Sequence, residues 1–279
     1  MISFMVFVVI SFPTKDFLII DLAPYPVSGP FFHSVLNTYG LSGDYVTSED
    51  FFDSLSDYRT VWVITSGNTQ RWIVSYEAVS KCKEFIDMGQ RGLFWQGYWD
   101  WFSDPGSGAL RVLMGVHEPE YYVWNWYISR FEPSYGDTIY INYFPWIMVD
   151  FELREGTNQS EFMLEGIRID RPGIVDVHPA FYGKVRGSRT VGLGFDIAAI
   201  WGPTSRTEFI GWILEYFGFE PASKYKNVKL DKEVKGKLTY GLNGRREKIS
   251  KNGFYFKNGK IILYLSGKKL ICKKFSLPK

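Results

Sequence analysis

The sequence predicts an α/β protein built on a doubly wound, mostly parallel sheet, with a β-rich insertion and a small antiparallel β-module at its C-terminal end. Three observations lead there. Continuous apolar runs alternate with helical periodicities through most of the first 220 residues. An aromatic and β-branched stretch, about residues 117–186, interrupts that rhythm, and the charge changes sign near residue 220. The 279 residues are 46% hydrophobic and 22% charged, which excludes a disordered chain and suits one medium domain plus a smaller module. No apolar run reaches the roughly 18–20 residues that a bilayer-spanning helix needs.

Met1 to Phe12 (MISFMVFVVISF) form an uncharged apolar run with the length of a signal-peptide core, followed by Pro13-Thr14-Lys15-Asp16. Residues 1–14 are therefore expected to be an export segment, although no Lys or Arg precedes the run and no small-x-small pair follows it. A buried β-strand is the other reading of the same residues.

Phe17-Leu18-Ile19-Ile20-Asp21-Leu22 has the pattern of a parallel strand covered on both faces. After a Pro/Gly loop at residues 24–30, Phe31, Val35, Leu36 and Tyr39 recur at helical spacing, and Gly40 offers a C-terminal cap. Ser48 caps a short acidic helix carrying Glu49 and Asp50 in its first turn, where the helix dipole favours anions. Thr60 to Thr65 is the next buried strand. Ser75 opens a helix with Ala78, Val79, Cys82, Phe85 and Ile86 on one face, ended by Gly89. Gly92 to Gly97 is a strand and Ser107 to Met114 a helix stopped by Gly115. Thr190 to Asp196 reads as a late strand, and Ser205 as the cap of a final helix with Phe209, Ile210, Ile213, Tyr216 and Phe217 facing inward. Between them, runs such as Tyr121 to Ile128 and Thr138 to Phe144, with a turn at Pro133 to Asp137, predict strands and hairpins placed beside the main sheet and projecting over its edge.

The order of these segments resembles the class I glutamine amidotransferase-like fold, a flavodoxin-like three-layer domain, in a version from secreted bacterial proteins. The residues that carry the likeness are Leu55 to Trp62, the helix end Phe85 to Gly89 with the strand Gly92 to Gly97, the stop Leu113-Met114-Gly115-Val116, and Gly194-Phe195-Asp196, within about residues 15–219. The resemblance implies a cysteine on a sharp strand-to-helix turn and a histidine with an acid after a late strand. Here the turn reads Trp95-Gln96-Gly97-Tyr98-Trp99-Asp100, and Gly194-Phe195-Asp196-Ile197-Ala198 lacks histidine. Cys82 belongs to the core face of its own helix. The expectation is a catalytically degenerate domain used for binding or structure, in which amidotransfer by that family's mechanism is not expected.

Other chemistry finds little footing. His33, His117 and His178 are dozens of residues apart without metal-ligand spacing, and no serine-nucleophile, dinucleotide or phosphate-loop motif occurs, so no metal or cofactor is expected. In an open α/β sheet, ligands sit at the C-terminal ends of the strands. That rule selects Asp21, Ser66, Gln96, Tyr98, Trp99, Asp100 and Asp196, with His178 as a further member, as candidate binding residues. Three carboxylates beside Trp99 and Trp101 would suit a glycan or a peptide, and two could act as acid and base. This supports an alternative function: a hydrolase acting on glycans or peptides. Against it stands the reading that Asp21 and Asp196 cap loops while the tryptophans fill the core.

Residues 221–279 hold 17 Lys and Arg against three acids, a net +14, while residues 1–220 hold 15 and 27, a net −12. The sign changes at Glu220-Pro221-Ala222-Ser223, which marks the expected domain boundary. Gly236 to Tyr240, Gly253 to Phe256, Lys260 to Leu265 and Lys269 to Cys272 read as strands joined by Asn-Gly or Ser-Gly turns. This module is similar to type IX secretion sorting domains in Thr239 to Arg245, Asn252 to Phe256 and Lys273-Lys274-Phe275. The resemblance implies secretion machinery as partner and the exterior of a bacterial outer membrane as location. An anionic cell-surface polysaccharide is the other partner its charge suits. Nucleic acid is disfavoured, because strand alternation assigns most of the aromatics to a core.

Overall fold

The computed structural model describes residues 13–23, 28–65, 75–102, 106–119, 122–124, 128–134, 137–141, 147–154, 159–168 and 175–220, and the strands within 239–271. Contacts divide the chain into two compact units, Met1–Lys226 and Asn227–Lys279. All of the predicted export segment except Pro13 and Thr14 lies outside the described residues.

The first unit runs β1 (Lys15–Asp21), α1 (Ser28–Thr38), β2 (Gly43–Val46), a 3-10 helix (Glu49–Asp57), β3 (Tyr58–Ile64), α2 (Tyr76–Asp87), β4 (Gly92–Gln96), a short 3-10 helix (Trp99–Trp101) and α3 (Ser107–Met114). Then follow β5 (Tyr122–Trp124), β6 (Ile128–Pro133), β7 (Ile139–Tyr140), β8 (Ile147–Val149), β9 (Gln159–Arg168), β10 (Val175–Val185), β11 (Ser188–Leu193), a 3-10 turn (Ile197–Ala199) and α4 (Pro203–Tyr216). Local signals account for most helix ends. Ser48 accepts from the Asp50 N–H and Ser75 from the Ala78 N–H, and Gly115 closes α3 in the left-handed region. Ser205, expected as a cap, lies instead within α4. The cap position belongs to Gly202 at φ +81°, with Pro203 preset at the first helical position.

One nine-stranded sheet organises the unit, in the order β2-β1-β3-β4-β11-β10-β9-β6-β7. The pairings β1 with β2, β1 with β3, β3 with β4 and β4 with β11 are parallel. Those of β11 with β10, β10 with β9, β9 with β6 and β6 with β7 are antiparallel. This corrects the predicted mostly parallel, flavodoxin-like sheet: half of the sheet is antiparallel, and four strands of the expected insertion belong to it rather than lying beside it. The reversal starts at a two-residue turn. Val185 pairs with Ser188 across Arg186 (φ 49°) and Gly187 (φ 83°), and positive φ at both positions is the turn geometry that matches strand twist in a tight hairpin. Strands β5 and β8 form a separate antiparallel pair.

Alternation along the strands loads both faces of the sheet. Phe17, Ile19, Trp62, Ile64, Phe94, Val191 and Leu193 face a core completed by Phe32, Val35 and Leu36 of α1 and by Phe209, Ile210 and Ile213 of α4. Leu18, Ile20, Val61, Val63, Leu93 and Trp95 face a second core with Val79, Cys82, Phe85 and Ile86 of α2 and Leu110 and Met114 of α3. Each such fully buried side chain contributes roughly 1.5–3 kcal/mol of apolar transfer.

The second unit contains two small antiparallel sheets, β12 (Thr239–Tyr240) with β13 (Arg246–Glu247), and β14 (Gly253–Lys257), β15 (Lys260–Leu265) and β16 (Lys268–Ile271) in sequential order. Lys257 pairs with Lys260 and Leu265 with Lys268, so two-residue connections set both registers. Among the described residues, no helix is long and apolar enough to cross a membrane.

Candidate active site

The parallel strands β1, β3 and β4 end, with β11, at one edge of the sheet, and the acids that follow them sort into separate groups. Asp21 closes β1 and is 1% exposed. Its carboxylate accepts from the Ala23 N–H at 3.1 Å and the Tyr45 hydroxyl at 3.0 Å, and the Gly29 N–H at the start of α1 also bonds to it. Asp196, equally buried, accepts from the Ser28 hydroxyl at 2.6 Å and caps the 3-10 turn after β11 through the Ala198 N–H at 2.7 Å. Neighbouring residues of one helix terminus, Ser28 and Gly29, thus hold the two carboxylates.

Position 29 accepts nothing larger than glycine in this arrangement, since a Cβ there would stand 2.1 Å from Asp21 Oδ2. Burial pushes the Asp21 pKa from 3.8 up to about 6; the Asp196 charge adds to the rise, and the hydrogen bonds from Tyr45, Ala23 and Gly29 oppose it. Burial and the Asp21 carboxylate in turn hold the Tyr45 phenol above its ordinary range.

Asp100 belongs to a second group. It accepts from the Trp95 indole at 2.9 Å and from the Thr65 hydroxyl, under the turn at Gly97. Trp101, expected to offer a stacking surface, is fully buried: its indole donates to the Gly97 carbonyl at 3.0 Å and its ring packs edge-on against Phe151 and Phe181. The Trp99 side chain and Ser66 lie outside the described residues. Gln96 is buried and accepts from the Ile197 N–H at 3.2 Å, tying β4 to the turn that carries Asp196. The Tyr98 hydroxyl is buried beside Asp196, and burial together with the Asp196 charge raises its pKa against an opposing hydrogen bond with the Asp196 backbone.

His178 sits on β10, where its N–H of the backbone donates to Asp150 at 2.7 Å and its ring stacks on Phe162 at 3.9 Å. Of the predicted residues, the structure therefore assembles Asp21 and Asp196, and brings Gln96 and Tyr98 up to the latter. Ser28 and Tyr45 are additional members of the site. The sequence places Ser28 in the Pro/Gly loop, whereas the structure starts α1 there, and Tyr45 lies on a four-residue strand with no apolar run to announce it. Cys82 is fully buried, and burial pushes its thiol pKa far up, so it is no nucleophile.

No family model and no curated protein matches the chain. Solved structures do. Gan42B, a GH42 β-galactosidase from G. stearothermophilus, has a TM-score of 0.52 at 12% identity, over 90% of this chain and 34% of its own. The β-galactosidase of Bacillus circulans sp. alkalophilus has a TM-score of 0.53 at 11% identity over 90% and 35%, and that of the haloarchaeon Halorubrum lacusprofundi 0.52 at 11% over 90% and 34%. The chain spans about a third of the length of these proteins.

What is shared is a fold, and it is one found in glycoside hydrolases. This replaces the amidotransferase-like and flavodoxin-like identification, which the mixed nine-stranded sheet also contradicts. The type IX sorting-domain resemblance is set aside with that identification, since the likeness found is to the fold of proteins described as β-galactosidases. The expectation of a degenerate enzyme rested on the missing cysteine of a family to which the likeness no longer points. Without that family, the absent thiol carries no weight against catalysis, and the carboxylates become the groups to consider.

Proposed function

We propose that the protein is a hydrolase acting on glycosides, with Asp21 and Asp196 as its working carboxylates. The observation that carries this reading is that two buried carboxylates are gathered around one helix terminus, where the charge of Asp196 helps to raise the Asp21 pKa. Asp21, its pKa pushed up to about 6 chiefly by burial, retains its proton into the mildly acidic range, and the charge of Asp196 adds to that rise. A protonated acid beside an ionised carboxylate is the pairing that glycosidic cleavage uses.

In this reading Asp21 gives its proton to the departing glycosidic oxygen while the Asp196 charge stabilises the oxocarbenium-like carbon; water then supplies the hydroxyl and returns a proton to Asp21. The Tyr45 hydroxyl and the Gly29 N–H keep the Asp21 carboxyl in position through the cycle. Support for a sugar substrate comes from the β-galactosidases that share the fold, and β-galactosides are accordingly the first substrates to try.

The test is release of the aryl alcohol from aryl β-galactosides by the purified full chain. Asp21→Asn and Asp196→Asn should each lower the rate by at least about 10²-fold, the usual contribution of a positioned acid or base. Absence of release by the parent chain, or equal release by either variant, overturns the proposal.

A further inference from the structure

We infer that the sheet β14–β16 of the second unit is a binding face for an acidic polysaccharide, a partner separate from the reaction assigned to Asp21 and Asp196. The strand pairing carries the argument. Phe254 pairs with Leu263 and Leu263 with Leu270, Phe256 pairs with Ile261, and Leu265 shares their parity, so these six residues stand on one face. Lys257 pairs with Lys260, Tyr264 with Lys269, and Tyr255 with Ile262, and these stand on the other. Within the three strands, Lys268, opposite Leu265, is the one charge on the apolar face.

One apolar and one polar face is the pattern of an antiparallel sheet that covers a core on one side and meets water on the other. The basic face has no counter-charge of its own. Residues 248–279 contain nine lysines and no acid, and the acids of the module, Asp231, Glu233 and Glu247, all precede β14.

The register makes that charge costly. Lys257 and Lys260 are directly opposite, where Cβ atoms lie about 4.5–5.5 Å apart and like charges destabilise the pair. Three strands are close to the smallest sheet that holds together in water, so repulsion within it weighs heavily. A polyanion laid along this face supplies the missing counter-charge, and no acid of these strands has to be displaced first.

The kind of cation selects the partner. Fifteen of the seventeen basic residues after position 220 are lysines. Lysine is a compact point charge that reads anionic density, whereas phosphate and nucleic-acid recognition draws on the planar arginine fork. Stacking of bases calls for a series of aromatic residues, and the basic face carries two, Tyr255 and Tyr264, while Phe254 and Phe256 belong to the apolar one. A chain of sugars bearing carboxylates or sulfates needs only the charges.

Calorimetry of the full chain with polygalacturonate, which is carboxylated, with heparin, which is sulfated, and with a neutral galactan tests this. Both acidic chains should bind at low salt and be released at high salt, and the neutral one should not bind. The combined substitutions Lys257→Gln, Lys260→Gln and Lys269→Gln should weaken binding about tenfold or more, as loss of three ion pairs implies. Lys224→Gln, Lys226→Gln and Lys229→Gln together remove the same charge outside the strands and should cost less than about twofold, and arginine at 257, 260 and 269 should retain binding. Lys260→Gln alone relieves the opposed pair, so it should melt no lower than the parent and still weaken binding about threefold, which frees the result from the fold of the triple variant. Equal losses in the two triple glutamine variants, no binding of either acidic chain at low salt, or equal binding of the neutral galactan overturns the inference. Tighter binding of single-stranded DNA or of anionic lipid vesicles than of either polysaccharide overturns it in favour of that partner. Salt-sensitive self-association without polysaccharide binding overturns it in favour of the acidic residues 1–220 of another copy. None of these outcomes depends on glycoside cleavage.

Discussion

Replacing Asp21 by asparagine should stabilise the protein above neutral pH and leave it nearly unchanged in acid. The native carboxyl titrates near 6, against 3.8 for the ordinary side chain. Below pH 3.8 both folded and unfolded states hold the proton and the group contributes no penalty. Between 3.8 and about 6 the unfolded chain releases it while the native state retains it, so stability falls with rising pH and the loss is complete above 6. A shift of about two pKa units corresponds to about 3 kcal/mol.

Asparagine removes that penalty. Its carbonyl can accept from the Ala23 N–H and its amide can donate to the Tyr45 oxygen, which replaces two of the three hydrogen bonds; the bond from Gly29 is lost, at about 1 kcal/mol. The net gain at pH 8 is then about 1–2 kcal/mol, or roughly 2–8 °C in melting temperature for a unit of this size. Urea and thermal melts of parent and Asp21→Asn at pH 4 and pH 8 measure it. A variant that is less stable than the parent at pH 8, or a difference that is the same at both pH values, refutes the argument that burial of the charge dominates this site.

Related expectations follow from the same contacts. Asp196→Asn removes the negative charge that raises the Asp21 pKa, so the pH window in which the parent loses stability should move to lower pH, as melts across pH 4–7 would report. Glycoside hydrolysis by the parent should fall as pH rises through about 6, when Asp21 loses the proton it donates, and a rate that keeps rising to pH 8 would contradict that role. Gly29→Ala places a Cβ 2.1 Å from Asp21 Oδ2 and 2.7 Å from Tyr45 Cε2 and should cost about 1–3 kcal/mol in urea melts, with only part of the cost relieved in the Asp21→Ala background, where the Tyr45 ring still stands in the way. Trp101→Ala loses the indole bond to Gly97 and the contacts with Phe151 and Phe181, and should destabilise by about 3–5 kcal/mol, far more than an exposed stacking residue would.

The parallel half of the sheet is legible in the sequence because β1, β3 and β4 are buried on both faces and so appear as unbroken apolar runs. The antiparallel half is not. Direction is decided at turns, and the one that reverses the sheet is Arg186-Gly187, where the arginine adopts a positive φ that its side chain does not advertise. Asp21 and Asp196 are likewise readable as carboxylates at strand ends, but their association is not, since it depends on Ser28 reaching a partner 168 positions away. His178 shows the converse. Its position near the strand ends suggests a site, yet the Asp150 carboxylate and the Phe162 ring, contributed by β9 and the segment after β8, occupy it.

The turn after β4 explains how a wrong family could be read from correct local structure. Strand, tight turn and helix do follow one another there, as they would around a nucleophilic cysteine. Position 97, however, is closed to any side chain, because a Cβ would lie 2.2 Å from Asp100 Oδ2 and 2.4 Å from Thr65 Oγ1. Asp100, Thr65 and the Trp95 indole fill the space beneath the turn with a hydrogen-bonded group, and the indole lies in the core beside α2 and α3. Asp21 and Asp196 are instead gathered at the start of α1, which packs on the other face. The position where a thiol was missed and the position where the carboxylates meet are therefore different places in the fold, and the emptiness of the first says nothing about the chemistry of the second.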